Sequence, residues 1–267
     1  MSAFRTIEIS NPAFEQQHLR FLTVKTPSLQ GRGDICIFVP PGTEAAAGLP
    51  VCILLHGVYG SAWSWAFCAG VHLQAEEMIA RKELRPMMIA MPSDGLWGDG
   101  SAYLPHHQHD FEKWIAADVP GVLTETFPQV SGKSPFFIGG LSMGGFGALR
   151  IGAKYNKRFK AMAGHSSITS LEQMKLFVEE EVQGYSQGNE ADESVLHTML
   201  ANREQLPPFR FDCGSTDLLI EDNRLLHQQL AASNIPHVYE EFEGGHEWPY
   251  WQRHVRRTLQ FFDAQVK

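Results

Sequence analysis

Short, uninterrupted apolar runs punctuate the chain, each closed by Gly, Pro, Ser or Asp and separated from the next by a stretch of helical length. Apolar runs this short read as strands, and runs that are apolar on both faces read as strands covered from both sides. Six of them lie at residues 51–55 (VCILL), 87–91 (MMIAM), 136–139 (FFIG), 161–164 (AMAG), 209–213 (FRFDC) and 237–242 (HVYEEF). Helical stretches fall around 65–81, 111–127, 144–155, 221–232 and 249–266. This rhythm predicts an α/β fold, a mostly parallel sheet with helices on both faces. Ahead of it, residues 18–26 (HLRFLTVKT) and 34–39 (DICIFV) are β-rich and joined by a turn-rich connector, PSLQGRG. They predict an antiparallel pair at one sheet edge, so that two plus six strands make an eight-stranded sheet.

Residues 166–208 break the rhythm, about forty positions that include the acidic run Glu179-Glu180-Glu181. They read either as solvated surface helices at one edge or as a lid over a pocket, because long excursions from α/β sheets carry ligand contacts. The span 1–267 is read as one domain bearing this insertion, a length that a single α/β unit accommodates.

Charge narrows the function. Lys and Arg number 22 against 30 Asp and Glu, a net charge of −8, and a nucleic-acid or anionic-membrane binder needs a basic face. No apolar stretch approaches the ~18 residues of a membrane span. The first eight residues alternate polar and apolar and lack a signal-peptide core. Cys36, Cys52, Cys68 and Cys213 are far apart, with no C-x-x-C. A soluble, cytoplasmic protein with reduced thiols is expected.

The chemistry is carried by Gly140-Leu141-Ser142-Met143-Gly144, a G-x-S-x-G placed between a strand and a helix. A nucleophile on so sharp a turn strains its backbone, and side chains at Gly140 or Gly144 would strike the strand and helix that cross there. Ser142 is expected exposed at the helix N-terminus, with the Met143 N–H aimed at a developing oxyanion. A serine nucleophile needs a base, and the base needs an acid to fix its tautomer. Asp217 follows the 209–213 strand and His246 follows the last one, beyond Gly244-Gly245, in the chain order serine, acid, histidine. Asp212, Glu221 and Asp222 compete for the acid, and His56 and His165 for the base, but none has the late loop position. After the 51–55 strand, His56-Gly57-Val58-Tyr59-Gly60 supplies a second oxyanion donor, the N–H of Val58 or else Tyr59, with Gly57 letting the backbone approach the substrate.

These segments, with Trp63 and Trp65, Cys213-Gly214-Ser215-Thr216-Asp217, Glu221-Asp222-Asn223, and Gly245-His246-Glu247-Trp248 with Trp251, resemble the esterase D group of the α/β-hydrolase superfamily. That group includes S-formylglutathione hydrolases, tributyrin-type carboxylesterases, feruloyl esterase domains and mycolyltransferases. The resemblance runs from about Phe21 to Phe262 and implies Ser142, Asp217 and His246 as triad, with Val58 and Met143 as oxyanion donors. S-formylglutathione hydrolases usually carry serine where His56 stands, a departure that favours a carboxylesterase of short-chain esters over the glutathione thioesterase. The segment Met91-Pro92-Ser93-Asp94-Gly95-Leu96-Trp97 resembles a family loop that lines the substrate, which adds Trp97 and Tyr103 to Gly57 and Tyr59 as substrate-binding candidates. The resemblance implies a small-molecule ester substrate, no cofactor, and a homo-oligomer. Acyl transfer with the same triad, or a catalytically dead scaffold used for binding, are the rival readings. His106-His107-Gln108-His109-Asp110 offers histidines to a metal, but neighbours in one loop do not close a tetrahedral site, and no metal is expected. Trp248, Tyr250 and Trp251 either stack on a substrate or pack in the core and fix the His246 loop.

Overall fold

The computed structural model describes Ser2 and residues 4–266; Met1, Ala3 and Lys267 lie outside the described residues, and with them the ends of the 1–267 span and part of the N-terminal reading. The strands are β1 (Thr6–Ile9), β2 (Leu19–Thr26), β3 (Gly31–Phe38), β4 (Val51–Leu55), β5 (Met88–Pro92), a small hairpin of β6 (Pro105–His106) and β7 (His109–Asp110), then β8 (Phe136–Leu141), β9 (Phe159–His165), β10 (Phe209–Gly214) and β11 (Val238–Phe242). Nine of them form one sheet in the order β1-β2-β3-β5-β4-β8-β9-β10-β11. From β5 to β11 every pairing is parallel, while β1, β2, β3 and β5 pair antiparallel in turn.

The sheet therefore has nine strands where eight were expected. The additional strand, β1, registers Thr6 opposite Lys25 and Ile9 opposite Leu22, so the β2–β3 pair lies one place in from the edge. Only Ile7 of its four residues is even partly covered, so it carries no apolar face that a pattern could register.

The helices are α1 (Ser64–Ala69), α2 (Val71–Ala80), α3 (Phe111–Lys113), α4 (Val119–Thr126), α5 (Met143–Lys154), α6 (Val195–Ala201), α7 (Ile220–Ala232) and α8 (Trp248–Asp263). Two expected helices are interrupted. Gly70, at φ +59°, divides the 65–81 stretch. Between α3 and α4 the turn widens to a π-helix over Trp114–Asp118, where the Val119 N–H reaches the Trp114 carbonyl and Pro120 cannot donate. One face of the sheet packs beneath α4, α5 and α7, and the other beneath α1, α2 and α8.

The 166–208 segment holds short 3-10 turns and α6 rather than a pair of surface helices. Leu171, Met174, Val182, Tyr185, Val195 and Met199 all sink into the same core as α4 and α5. Because β4, β8, β9, β10 and β11 run parallel, His56, Ser142, His165, Asp217 and His246 all emerge at one carboxyl edge of the sheet, where open α/β sheets hold their ligands.

Candidate active site

Ser142 sits between β8 and α5 at φ +54° and ψ −121°, a conformation that non-glycine residues keep only when their surroundings impose it. The imposition is visible. A Cβ at Gly140 would lie 2.3 Å from the Gly144 carbonyl oxygen, and one at Gly144 would lie 2.4 Å from that of Leu55 and 2.5 Å from that of His56. The Ser142 N–H donates to the His165 carbonyl at 2.9 Å, and its carbonyl accepts from Ile168 at 3.2 Å. Ser142 is only 2% exposed, not open as the turn alone suggested. Gly57 lies against it, with a Cβ there 3.2 Å from the Ser142 Cβ, and His246 covers its hydroxyl.

The His246 Nε2 stands 2.9 Å from the Ser142 Oγ, and its Nδ1 stands 3.1 and 3.0 Å from the two Asp217 oxygens. An Nδ1–H donating to Asp217 leaves Nε2 free to accept from the serine hydroxyl. Asp217 also accepts the Leu219 N–H at 2.9 Å. Burial opposes its charge, but the hydrogen bond and charge of His246 and the Leu219 donor outweigh burial and hold the carboxyl below its ordinary value. The His246 ring is gripped by Trp251, edge-on at 5.0 Å, and by Phe177, stacked at 5.2 Å and 29°. Trp251 and Tyr250 are buried and Trp248 packs edge-on against Trp65, so this aromatic group is core that fixes the histidine loop. Phe177 escaped sequence reasoning, since it belongs to no motif.

In the loop after β4, the His56 Nδ1–H donates to the Gly57 carbonyl at 2.7 Å while Nε2 accepts from the Asp94 N–H at 3.0 Å. His56 thus ties the glycine loop to the segment after β5. The Tyr59 N–H is spent on the Asp99 carbonyl at 2.8 Å, whereas among the described residues neither the Val58 nor the Met143 N–H has an acceptor. Tyr59 is 66% exposed at φ +57°, and its hydroxyl donates to the Phe177 carbonyl at 2.5 Å. Tyr103 requires correction as a substrate contact. It is fully buried, its hydroxyl donates to the His56 carbonyl at 3.1 Å, and it supports the loop from behind.

Trp97 is half-buried and turned into an imidazole cluster, stacked on His107 at 4.8 Å and in reach of His106, His109 and Phe111. Its loop still borders the site, since a Cβ at Gly100 would meet the Met143 Sδ at 2.5 Å and the Val58 Cγ1 at 3.3 Å. Within the cluster, burial pushes His106 down to about 4, although its Nε2–H donates to the Ser101 carbonyl. Among the described residues no group of three or more His, Cys, Asp or Glu is placed to hold a metal ion.

The rival base and acid are occupied with each other. The His165 Nδ1 lies 3.0 Å from the Asp212 carboxylate, which also accepts from Tyr250 at 2.8 Å and Arg210 at 2.7 Å, and the His165 Nε2 meets the Thr258 Oγ1 at 3.0 Å. Burial opposes ionisation of Asp212, but His165, Arg210 and Tyr250 together hold it down to about 2. All are buried, and the Ser142 hydroxyl is paired with His246 instead. Glu221 is paired on the surface with Arg224 at 2.7 Å.

Comparison with known proteins places this geometry in context. The family model described as "Putative esterase" matches residues 26–262. An acetyl esterase of Caldicellulosiruptor saccharolyticus is 29% identical over 231 residues, which cover 80% of this chain and 83% of that protein. Among solved structures, an S-formylglutathione hydrolase of Staphylococcus aureus superposes with a TM-score of 0.78 at 18% identity, covering 95% of this chain and 98% of that one. A ferulic acid esterase superposes with a TM-score of 0.80 at 20% identity, covering 98% and 100%.

Proposed function

Since the chain belongs to this esterase family and is a carboxylic ester hydrolase with the α/β-hydrolase fold, we propose that it cleaves short-chain esters through an acyl-enzyme on Ser142. The observation that carries the proposal is the unbroken path from Ser142 Oγ through His246 to Asp217, each step within 3.1 Å. In this reading the Ser142 oxygen attacks the acyl carbon while its proton passes to His246 Nε2. Asp217 holds the tautomer and stabilises the imidazolium that results. The oxyanion falls between the free N–H groups of Val58 and Met143, each lowering the barrier by ~3 kcal/mol. His246 then returns its proton to the leaving alcohol oxygen, and a water activated by the same imidazole releases the acid.

The covered Ser142 and the name of the acetyl esterase relative support a small acyl group. The 166–208 segment acts in this proposal as a fixed wall, which its buried residues favour over a mobile lid. A reducing, cytoplasmic setting is part of the same reading, supported by four unpaired cysteines of which three are buried.

The test is hydrolysis of p-nitrophenyl esters from acetate to octanoate, beside S-formylglutathione and methyl ferulate, by the wild type and Ser142→Ala. The expected result is a preference for short acyl chains and a fall in kcat on the order of 10⁴ or more in the variant. Fluorophosphonate should label the wild type alone. Turnover retained by purified Ser142→Ala above a few per cent would remove Ser142 from its role.

A further inference from the structure

The geometry points to Phe177 as the residue that selects the leaving alcohol, and we infer that it favours alcohols carrying an apolar ring. The inference rests on the serine mechanism proposed above. In acylation the imidazolium Nε2–H must reach the alcohol oxygen, so that oxygen lies beside His246 and the rest of the alcohol extends along whatever flanks the imidazole. Trp251, on the inner side of α8, stands edge-on to the ring and is buried in the core, so it offers the alcohol no open surface. Phe177 does offer one, since its ring stacks on the imidazole at 5.2 Å and is only half-buried. The acyl carbonyl oxygen is held elsewhere in the same mechanism, by the Val58 and Met143 N–H groups, which have no acceptor among the described residues. The carbonyl oxygen and the leaving alcohol oxygen of the ester thus meet different residues.

Phe177 is also held in place, as a selecting residue must be. Its carbonyl accepts from the Tyr59 hydroxyl, on the same loop that supplies the Val58 donor. Two residues on, the Glu179 N–H donates to an Asp99 oxygen at 2.8 Å, and the Asp99 N–H donates in return to Glu180 at 2.7 Å. A Cβ at Gly98 would overlap Glu180, so the two loops are in close contact along this seam. Through Phe177 the insertion thus lays a ring over the proton donor. A planar apolar group on the alcohol can extend along that ring by offset or edge contacts.

The experiment compares kcat/KM ratios, so that any uniform loss from disturbed packing on His246 divides out. Benzyl acetate against ethyl acetate reads the alcohol side, with leaving alcohols of similar acidity. Benzyl acetate against benzyl butyrate reads the acyl side. Phe177→Ala should lower the benzyl-to-ethyl ratio about fivefold, the worth of one aromatic contact, and leave the acyl ratio within twofold. Phe177→Tyr should restore the alcohol ratio, and Phe177→Leu, which keeps an apolar filling should the alanine variant fail to fold, should lower it. An unchanged alcohol ratio in Phe177→Leu would overturn the inference, as would a shift in the acyl ratio alone, which would place Phe177 on the acyl side. Fluorophosphonate labelling of wild-type Ser142 separates the two levels: an unlabelled serine would overturn the mechanism beneath the inference, whereas a labelled one with flat ratios would overturn the inference only.

Discussion

A carboxyl group as buried as Asp217 would ordinarily resist ionisation, yet the Nδ1–H of His246 spans both its oxygens and the Leu219 N–H adds a third contact. These hold its titration below the ordinary carboxylate range. Asp217 is then charged throughout the range in which ester hydrolysis is assayed, and lowering the pH should titrate one group on kcat/KM. The expected acid limb has a slope of one in log kcat/KM against pH, and a slope of two would mean that Asp217 protonates in the same range. Asp217→Asn, which keeps the shape but reverses the tautomer preference, should reduce kcat about 10⁴-fold with little change in KM. At this scale the sequence is most legible where sterics dictate the residue. Gly140 and Gly144 face backbone carbonyls closer than any Cβ could tolerate, and Gly57 lies against Ser142 itself. Phe177 and the supporting role of Tyr103 were not legible, because each depends on a contact made across a long stretch of chain, as in the Tyr59 to Phe177 hydrogen bond.

Elements that are buried on both faces declare themselves in the pattern, as β4, β5, β8 and β10 do with every residue covered. Those at the edge, such as β1, do not. Helix α8 is legible as a stretch of helical length, but its function in the fold emerges only from what its inner face touches. Tyr250 donates to Asp212, Trp251 meets His246, and His254 packs against Phe242 at 4.3 Å and Tyr250 at 4.5 Å, with no partner for either ring nitrogen among the described residues. Burial above all, with His165, Arg257 and Arg253 adding to it against the pull of Asp212, pushes His254 down to about 4. The folded imidazole is therefore neutral between about 4 and the ordinary 6.5, while the unfolded one gains a proton across that window. Stability falls as the pH falls through it, by about 2 kcal/mol at pH 5 from this group. His254→Phe, which keeps the aromatic stack, should reduce the drop in Tm between pH 7.5 and 5 by about 4 °C. His106, also held near 4, contributes in the same sense, so the variant should retain part of the drop. An equal drop in variant and wild type would exclude His254 as a source.

On the scale of the whole molecule, the 166–208 segment was the least legible part, because its buried residues are single apolar positions scattered among acids, with no period to follow. What docks it is equally hidden. Arg150, an unremarkable position on a helix by sequence, is fully buried beneath the segment. Its Nε–H donates to the Asp192 carbonyl at 2.5 Å, and its Nη2 lies 3.2 Å from Glu112, while Lys154 bridges Glu112 and Asp192 at 2.9 and 3.1 Å. One cluster thus binds α3, α5 and the insertion that carries Phe177 onto His246. Removing a single member of a buried pair costs more than removing both, since the survivor keeps an unpaired charge. Arg150→Met should lower the unfolding free energy by about 3 kcal/mol, and the double variant Arg150→Met with Glu112→Leu should recover part of that loss. Because the proposed function makes the loosened part the wall of the site, ester hydrolysis in Arg150→Met should fail at a lower urea concentration than far-UV circular dichroism does, whereas the two should coincide more closely in the wild type. If the urea midpoint and the activity profile of Arg150→Met both match those of the wild type, the insertion is held by its apolar contacts alone and the polar cluster has no part in positioning Phe177.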